Sequence, residues 1–189
     1  ANIKLDDYID INQHLREQGR ATTGEMILGL PGETKQSFLS GVEEVIAAGV
    51  STVTIYSLML LYGTEFQDPD YRRKHGYESR FRIVPLNFGE YEGERVFDYE
   101  EVGIATKDLS FDDYLDLRRF ALLVETLYNN RPFEAFFRYA MSLGESRFAF
   151  LYRIFNNLDA APPEVAQVID GFMSETRSEL WASDNEMVV

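Results

Sequence analysis

The chain of 189 residues contains no cysteine. This absence excludes disulfide bonds, cysteine nucleophiles, thiolate metal sites and iron–sulfur clusters ligated by the chain itself. Histidine is almost as scarce, and neither His14 nor His75 has a second metal ligand at a suitable spacing. We therefore predict surface or capping roles for the two histidines and no metal site.

Long apolar runs are also absent. The longest, residues 50–63, is too short and too rich in serine and threonine to span a bilayer, and no signal peptide opens the chain. Positive charge is the third deficit, since 18 Lys and Arg face 32 Asp and Glu and leave a net charge of −14. Such a chain repels phosphate backbones and anionic membranes. We expect a soluble, cytoplasmic protein that binds neither nucleic acid nor membrane.

Apolar residues are plentiful, at 45% of the chain with 14% aromatic, so a folded core is expected. The first 66 residues predict the order helix, strand, helix, strand, over residues 5–18, 22–29, 34–48 and 51–61. The continuous apolar centre of the first strand predicts burial on both faces. Gly49 is the expected C-cap of the second helix. The middle of this segment predicts a right-handed βαβ unit with parallel strands.

The chain changes character after residue 66. Residues 68–75 predict a short helix, and residues 80–106 predict short extended pieces broken by Gly89, Gly93 and Gly103. We therefore expect three segments: an α/β segment over 1–66, an irregular segment over 67–109 and a helical segment over 110–189.

The helical segment begins with Ser110 and Asp113, whose spacing resembles a capping box. Three further helices are predicted over 132–143, 145–157 and 163–181. The first helix should bury a broad apolar face made of Phe111, Tyr114, Leu115, Leu117, Leu123, Val124, Leu127 and Tyr128. The Phe-rich residues 132–141 fit a core helix better than the lining of a pocket.

Ligands of α/β sheets bind where parallel strands end. These positions are residues 29–32 and 58–63, and we expect the two loops to be neighbours because one crossover joins their strands. The first loop fails both phosphate-binding patterns, because Leu30 and Pro31 follow Gly29 where a Walker loop needs other residues, and the dinucleotide motif lacks its first glycine. From spacing alone, Gly29 to Gly32 predicts a tight turn.

Two later stretches could also reach a ligand. The acidic run 90–101 could hold a hard cation, but it lacks the alternating oxygen ligands of a calcium loop, so a solvated loop or hairpin is favoured. Residues 71–91 are rich in Tyr, Phe and Arg and could close over the site. Within them, Arg80 and Arg82 could meet an anionic substrate or pair with nearby glutamates.

The stretch TTGEMILGLPGETKQSFLSGVEEVIAAGVSTVTIYSLMLLYGTEF, residues 22–66, resembles the second half of the barrel in radical S-adenosylmethionine enzymes. It is most similar to the branch that carries a cobalamin-binding domain upstream. In that family a fifth strand runs into a G-L/F-P-G-E-T turn, a helix follows, and a sixth strand ends in a turn such as P-G-T. Residues 67–189 resemble the C-terminal extension of the same branch.

The resemblance implies a partial TIM-like barrel, and it implies radical chemistry at a [4Fe–4S] cluster with S-adenosylmethionine and probable use of cobalamin, for a modification such as methyl transfer to a small-molecule substrate. The cluster of the family is held by C-x-x-x-C-x-x-C, which this chain lacks. We therefore interpret the chain as a C-terminal fragment whose partner is the N-terminal half of the same protein. The fragment alone is expected to bind none of these cofactors and to be inactive.

The expected cofactor-binding residues, by the resemblance, are Ile27, Gly29, Leu30 and Leu58, which would form the adenine side of the site. No catalytic residue is identified, and the role of Glu33 is left open because it lies four residues after Gly29 rather than three. An alternative is a non-catalytic ligand-binding or interaction module. In either case the open strand edges should be covered, by self-association or by helices of the C-terminal half.

Overall fold

Residues 5–57 fold as helix, strand, helix, strand, as the sequence predicted. The computed structural model describes residues 5–129 and 131–187. In it α1 spans Leu5–Glu17, β1 Thr23–Leu28, α2 Lys35–Ala47 and β2 Thr52–Ser57. The Thr52 and Leu58 amides donate to the carbonyls of Thr22 and Leu28, and this constant offset makes the two strands parallel. Gly49 ends α2 with a φ of +76°, which confirms the predicted C-cap.

Two features of these strands differ from the prediction. β1 is not buried on both faces, because Thr23, Glu25 and Ile27 are exposed while Leu28 is buried. β2 ends at Ser57 rather than at residue 61, since the chain beyond it leaves β1 and pairs with a later strand.

The middle of the chain contains a short helix and a long hairpin. Helix α3 spans Pro69–His75, close to the predicted 68–75. The predicted short pieces are instead two long antiparallel strands, β3 over Glu78–Tyr91 and β4 over Glu94–Ala105. Glu92 and Gly93 separate the strands, with φ values of +52° and +85° as a two-residue hairpin turn requires, and the register shifts between Ile83 and Phe88. The acidic run 90–101 therefore forms the turn of a hairpin and the adjoining parts of both strands, and a hairpin was one of the two favoured forms.

The C-terminal part is helical, as predicted. Asp113 N–H donates to Ser110 Oγ at 3.1 Å, which confirms the predicted cap of α4. The helices are α4 Phe111–Leu123, continued by a π-helical turn over Val124–Asn129, then α5 Glu134–Ser142, α6 Arg147–Phe155 and α7 Pro163–Ser178. In α5 the core interpretation holds for buried Phe137, whereas Phe133 and Phe136 are exposed. No helix in the described part of the chain is long and apolar enough to cross a bilayer.

The chain divides into two compact units built from alternating segments. The first unit comprises Ala1–Met26, Lys35–Tyr56 and Leu117–Ala166, and the second comprises Ile27–Thr34, Ser57–Asp116 and Gln167–Val189. The boundaries predicted after residues 66 and 109 stay predictions.

In the first unit, the side chain of Asn129 covers the outer edge of β2. Its Oδ1 accepts from Val53 N–H at 2.9 Å and its Nδ2 donates to Val53 O at 2.8 Å, which mimics a strand partner. In the second unit, β4 continues this cover, since Gly103 N–H donates to Leu58 O at 2.9 Å. A helical turn of the C-terminal part therefore covers the edge of β2 at Val53, as one of the two predicted outcomes requires, whereas the cover at Leu58 comes from a strand.

Candidate functional site

The candidate site is the turn that follows β1 in the second unit. Glu33 N–H donates to Leu30 O at 3.1 Å, which closes a four-residue turn with Pro31 and Gly32 at its centre. Proline fixes φ at the first central position, and Gly32 has the φ of +79° that a type II turn requires at the second. The tight turn predicted from spacing is confirmed.

Glu33 fastens this turn to the end of the strand. Its Oε2 accepts from Gly29 N–H at 2.9 Å, and the backbone of Leu30 contributes a second hydrogen bond. Burial raises the pKa of Glu33, while the two backbone hydrogen bonds act against burial. The role left open from the sequence is therefore structural: the carboxylate holds the backbone of the turn.

Gly29 is required by its backbone conformation. Its φ is +101°, which side-chain-bearing residues rarely adopt. Space alone does not require glycine, because a Cβ atom here would lie 3.7 Å from Gly103 O and 3.8 Å from Leu58 Cβ, at ordinary contact distances. The Gly29 carbonyl accepts a hydrogen bond from Tyr77 Oη at 3.0 Å.

The two loops at the strand ends are neighbours, as predicted. Leu58 N–H donates to Leu28 O at 3.0 Å, which places the start of the second loop directly beside Gly29. The second loop closes with a turn in which Thr64 N–H and Oγ1 both donate to Leu61 O. Gly63 has a φ of +79° within this turn.

The four residues predicted to bind the cofactor lie together, but they present different surfaces. The side chains of Ile27 and Leu30 are 44% and 40% exposed and offer apolar surface on either side of Gly29. Leu58 is only 5% exposed, so its side chain belongs to the interior and supports Gly29 from behind. The cofactor-binding roles of all four stay predictions.

An aromatic cluster lies beside the turn. The sequence indicated only that the segment 71–91 is rich in aromatic residues, and it did not predict which of them meet. The Tyr77 ring lies 5.7 Å from Phe66 and 6.4 Å from His75, and the His75 ring lies 4.6 Å from Tyr71. Burial raises the pKa of Tyr77 far above its ordinary value, so it stays a hydrogen-bond donor to Gly29. Tyr77 is the residue of the segment 71–91 that contacts the turn, and closure of the segment over a ligand stays a prediction.

A carboxylate on β4 fixes α3 next to this cluster. Glu101 receives two hydrogen bonds from Arg72, both at 2.7 Å, and one from Ser79 at 2.5 Å. Burial acts to raise the pKa of Glu101, but the hydrogen bonds from Arg72 and Ser79 outweigh it, so the pKa lies below its ordinary value.

The arginines of β3 have partners within the protein. Arg82 pairs with Glu100 at 2.5 Å and with Glu179 at 3.5 Å, which is the glutamate pairing that the sequence offered as an alternative. Arg80 donates to the carbonyl of Ser79 at 2.9 Å.

The site fits part of the cofactor set that the resemblance implies. The exposed apolar side chains of Ile27 and Leu30 beside an ordered backbone suit a flat aromatic ring such as adenine. An iron–sulfur cluster does not fit, because the chain has no cysteine. Within residues 5–129 and 131–187, no group of three or more carboxylates and histidines is placed to hold a metal ion.

Two curated proteins are similar to this chain. One is the cobalamin-dependent radical SAM methyltransferase TokK of Streptomyces tokunonensis, 29% identical over 154 residues, which are 78% of this chain and 22% of that protein. The resemblance to cobalamin-dependent radical S-adenosylmethionine enzymes is confirmed. The other is the 2-(S-pantetheinyl)-carbapenam-3-carboxylate methyltransferase of Streptantibioticus cattleyicolor, 27% identical over 171 residues, which are 87% of this chain and 24% of that protein.

The similarity to these methyltransferases reaches well beyond the segment that suggested it. An alignment of 154 or 171 residues cannot fit within residues 1–66, so part of the hairpin and helical segments is also similar to them. The chain spans less than a quarter of the length of either relative. No protein-family model matches the chain.

Proposed function

We propose that this chain is one part of a cobalamin-dependent radical S-adenosylmethionine methyltransferase and forms the second half of its barrel. The observation that carries the proposal is the turn at the end of β1, which lies directly beside the loop that follows β2. Ligands bind at such strand ends in α/β folds. The names of the two relatives support methyl transfer as the reaction.

In this proposal the exposed side chains of Ile27 and Leu30 contact the adenine ring of S-adenosylmethionine. Leu58 supports Gly29 from the interior, and the hydrogen bonds of Glu33 and Tyr77 hold the Gly29 backbone still. A rigid, apolar wall excludes water and lowers the entropy lost on binding. The family's cofactors would supply the radical and the methyl group, and residues outside this chain must ligate the cluster.

The partner of this chain in the proposed enzyme is the N-terminal half of the same protein. In the described residues β1 pairs only with β2, so the other edge of β1 is open to a further strand. A strand of the missing barrel half would satisfy the unpaired backbone groups of that edge. A small-molecule substrate, a cytoplasmic location and self-association of the isolated chain stay predictions.

The chain on its own is expected to be inactive. Because it has no cysteine, reconstitution with iron and sulfide should yield no 5′-deoxyadenosine from S-adenosylmethionine under reducing conditions. Chromatography of the reaction products measures this directly. Formation of deoxyadenosine above the level of a protein-free control would contradict the expectation.

The adenine wall is tested in the full-length protein by changing Ile27 to aspartate. We expect S-adenosylmethionine to bind at least tenfold more weakly, because a charged carboxylate replaces apolar surface against the ring. Isothermal titration calorimetry measures the dissociation constant. The matched control is Leu143→Asp at the end of α5, an equally drastic change at an exposed leucine of the other unit, which should leave the affinity unchanged.

The outcomes of this experiment separate the two candidate functions. Equal affinity of the Ile27→Asp variant and the wild type would remove Ile27 from the adenine site. Tight binding of S-adenosylmethionine to the isolated chain would favour the non-catalytic ligand-binding module instead. A full-length sequence without C-x-x-x-C-x-x-C upstream of this chain would overturn the radical mechanism itself.

A further inference from the structure

Three arginines converge on a cavity in the first unit, where α2 ends and β2 begins. The cavity has a volume of about 160 Å³, enough for roughly five water molecules at liquid density. Its lining includes Arg16, Arg131 and Arg147 together with Gly49, Val50 and Tyr128. This concentration of positive charge is unusual in a chain whose net charge is −14.

Arg16 reaches the cavity from the last turn of α1. Its guanidinium packs directly against Gly49, where a Cβ atom would lie 2.5 Å from the guanidinium carbon and overlap it. Gly49 is required by its positive φ at the end of α2, and the Arg16 guanidinium occupies the space beside it.

Arg131 also lines the cavity and follows the π-helical turn in the chain. Its φ is +49°, an uncommon conformation for a residue with a side chain. Its amide donates to Tyr128 O at 3.3 Å and its carbonyl accepts from Glu134 N–H at 3.3 Å, so turns on both sides hold it. Such strain is often found at binding sites.

Arg147 already has a carboxylate partner. It makes two hydrogen bonds of 2.7 Å to Glu134, and its guanidinium lies 5.5 Å from the centre of the Phe137 ring. In the part of the chain that the structure describes, neither Arg16 nor Arg131 lies within ion-pair distance of a carboxylate. The cavity therefore carries about two uncompensated positive charges.

The Tyr128 hydroxyl lies within the electrostatic influence of all three arginines. Its hydroxyl donates to Val50 O, which fixes the ring in the lining. Burial raises the pKa of the Tyr128 hydroxyl and Glu134 adds to this rise, while all three arginines of the cavity act in the opposite direction by attracting negative charge. An anion bound beside the hydroxyl would experience the same attraction.

We propose that this cavity binds a phosphate group through Arg16 and Arg131, either as free phosphate or as the phosphate of a small-molecule ester. Guanidinium groups form forked, charge-assisted hydrogen bonds to phosphate oxygens. A phosphate ester carries a charge of about −1.5 to −2 at pH 7, which matches the two uncompensated arginines. The site lies where β2 begins, whereas the candidate adenine site follows the ends of β1 and β2, so the two proposals are independent.

The test compares phosphate binding by the wild-type chain and the double variant Arg16→Ala/Arg131→Ala. Titration is performed at constant ionic strength, with chloride replaced by inorganic phosphate, and followed by calorimetry and by the thermal midpoint. We expect the double variant to bind phosphate at least tenfold more weakly and to lose the phosphate-dependent rise in the midpoint.

The matched control is Arg95→Ala/Arg177→Ala, which removes the same charge at two exposed arginines outside the cavity. This control should keep the wild-type response to phosphate. Equal weakening in both double variants, or no saturable binding by the wild type, would overturn the proposal. The variant Arg16→Lys/Arg131→Lys keeps the charge and should bind with intermediate affinity, which separates forked hydrogen bonding from general attraction.

Competition experiments identify the source of the phosphate group. Phosphorus NMR of inorganic phosphate with the wild-type chain should show broadening that added glycerol phosphate removes if the cavity accepts an ester. Broadening that glycerol phosphate leaves in place would indicate free phosphate. Removal of the broadening by acetate at the same concentration would contradict selectivity for phosphate and overturn the assignment.

Discussion

Replacing Phe120 with alanine is expected to lower the free energy of unfolding by about 3–5 kcal/mol. Phe120 is 0% exposed in the first unit. Its ring makes edge contacts with Phe148 and Phe155 at centroid distances of 5.8 and 5.4 Å. Alanine removes both contacts and leaves a cavity that rigid helices cannot close. Urea unfolding followed by circular dichroism measures the change.

The control for Phe120 is Phe133→Ala in the same unit. Phe133 is 51% exposed, so its truncation should change the free energy of unfolding by less than about 0.5 kcal/mol. Because total stabilities are about 5–15 kcal/mol, the Phe120 variant should be close to unfolding at moderate urea concentrations. A loss below about 1 kcal/mol would show that Phe120 is not central to the core.

Replacing Glu101 with glutamine is expected to destabilise the chain by about 2 kcal/mol at pH 7. The substitution keeps the shape of the side chain but removes the charge that pairs with Arg72 at two points. Both side chains are largely shielded from solvent, which leaves the guanidinium without a counter-charge. The measurement is again urea unfolding, repeated across a range of pH.

The stability that the Glu101–Arg72 pair contributes should depend on pH. The pKa of Glu101 is lower in the folded state than its ordinary value of 4.5, so the pair contributes its full stability above that value. The contribution is lost as the pH falls below 4.5 and through the folded-state pKa. The difference between wild type and Glu101→Gln should therefore shrink in acid and be constant from about pH 6 to 8.

An exposed ion pair on α3, the helix that carries Arg72, provides the comparison for the Glu101 pair. Arg73 pairs with Asp70, and both side chains are mostly solvent-accessible. The variant Asp70→Asn should cost less than about 1 kcal/mol, because exposed ion pairs are screened by water and salt. The side chain of Asp70 bonds to Arg73 and not to Glu101. A Glu101→Gln effect as small as that of Asp70→Asn would contradict the structural role assigned to Glu101.

The sequence determined the elements whose signals are local. Ser110 and Asp113 cap α4 because a hydroxyl three residues before an amide bonds it wherever the helix packs. Gly32 after Pro31 produced the predicted turn, since proline fixes its own φ and glycine permits the positive φ of the next position. The parallel β1–β2 pairing was also predicted, because the intervening helix forces a crossover.

The tertiary structure decided the features that depend on distant partners. Neither the exposure of Ile27 nor the length of the β3–β4 hairpin follows from local propensity, because each depends on which chain segment lies alongside. Phe120 was absent from the predicted core face, because the two charged residues before it, Arg118 and Arg119, interrupt the helical periodicity of apolar residues. The position of Tyr77 on the Gly29 carbonyl joins residues 48 positions apart, and the arginine cavity joins four separate segments. Sequence patterns report on neighbours along the chain, whereas these contacts form only after distant segments pack together.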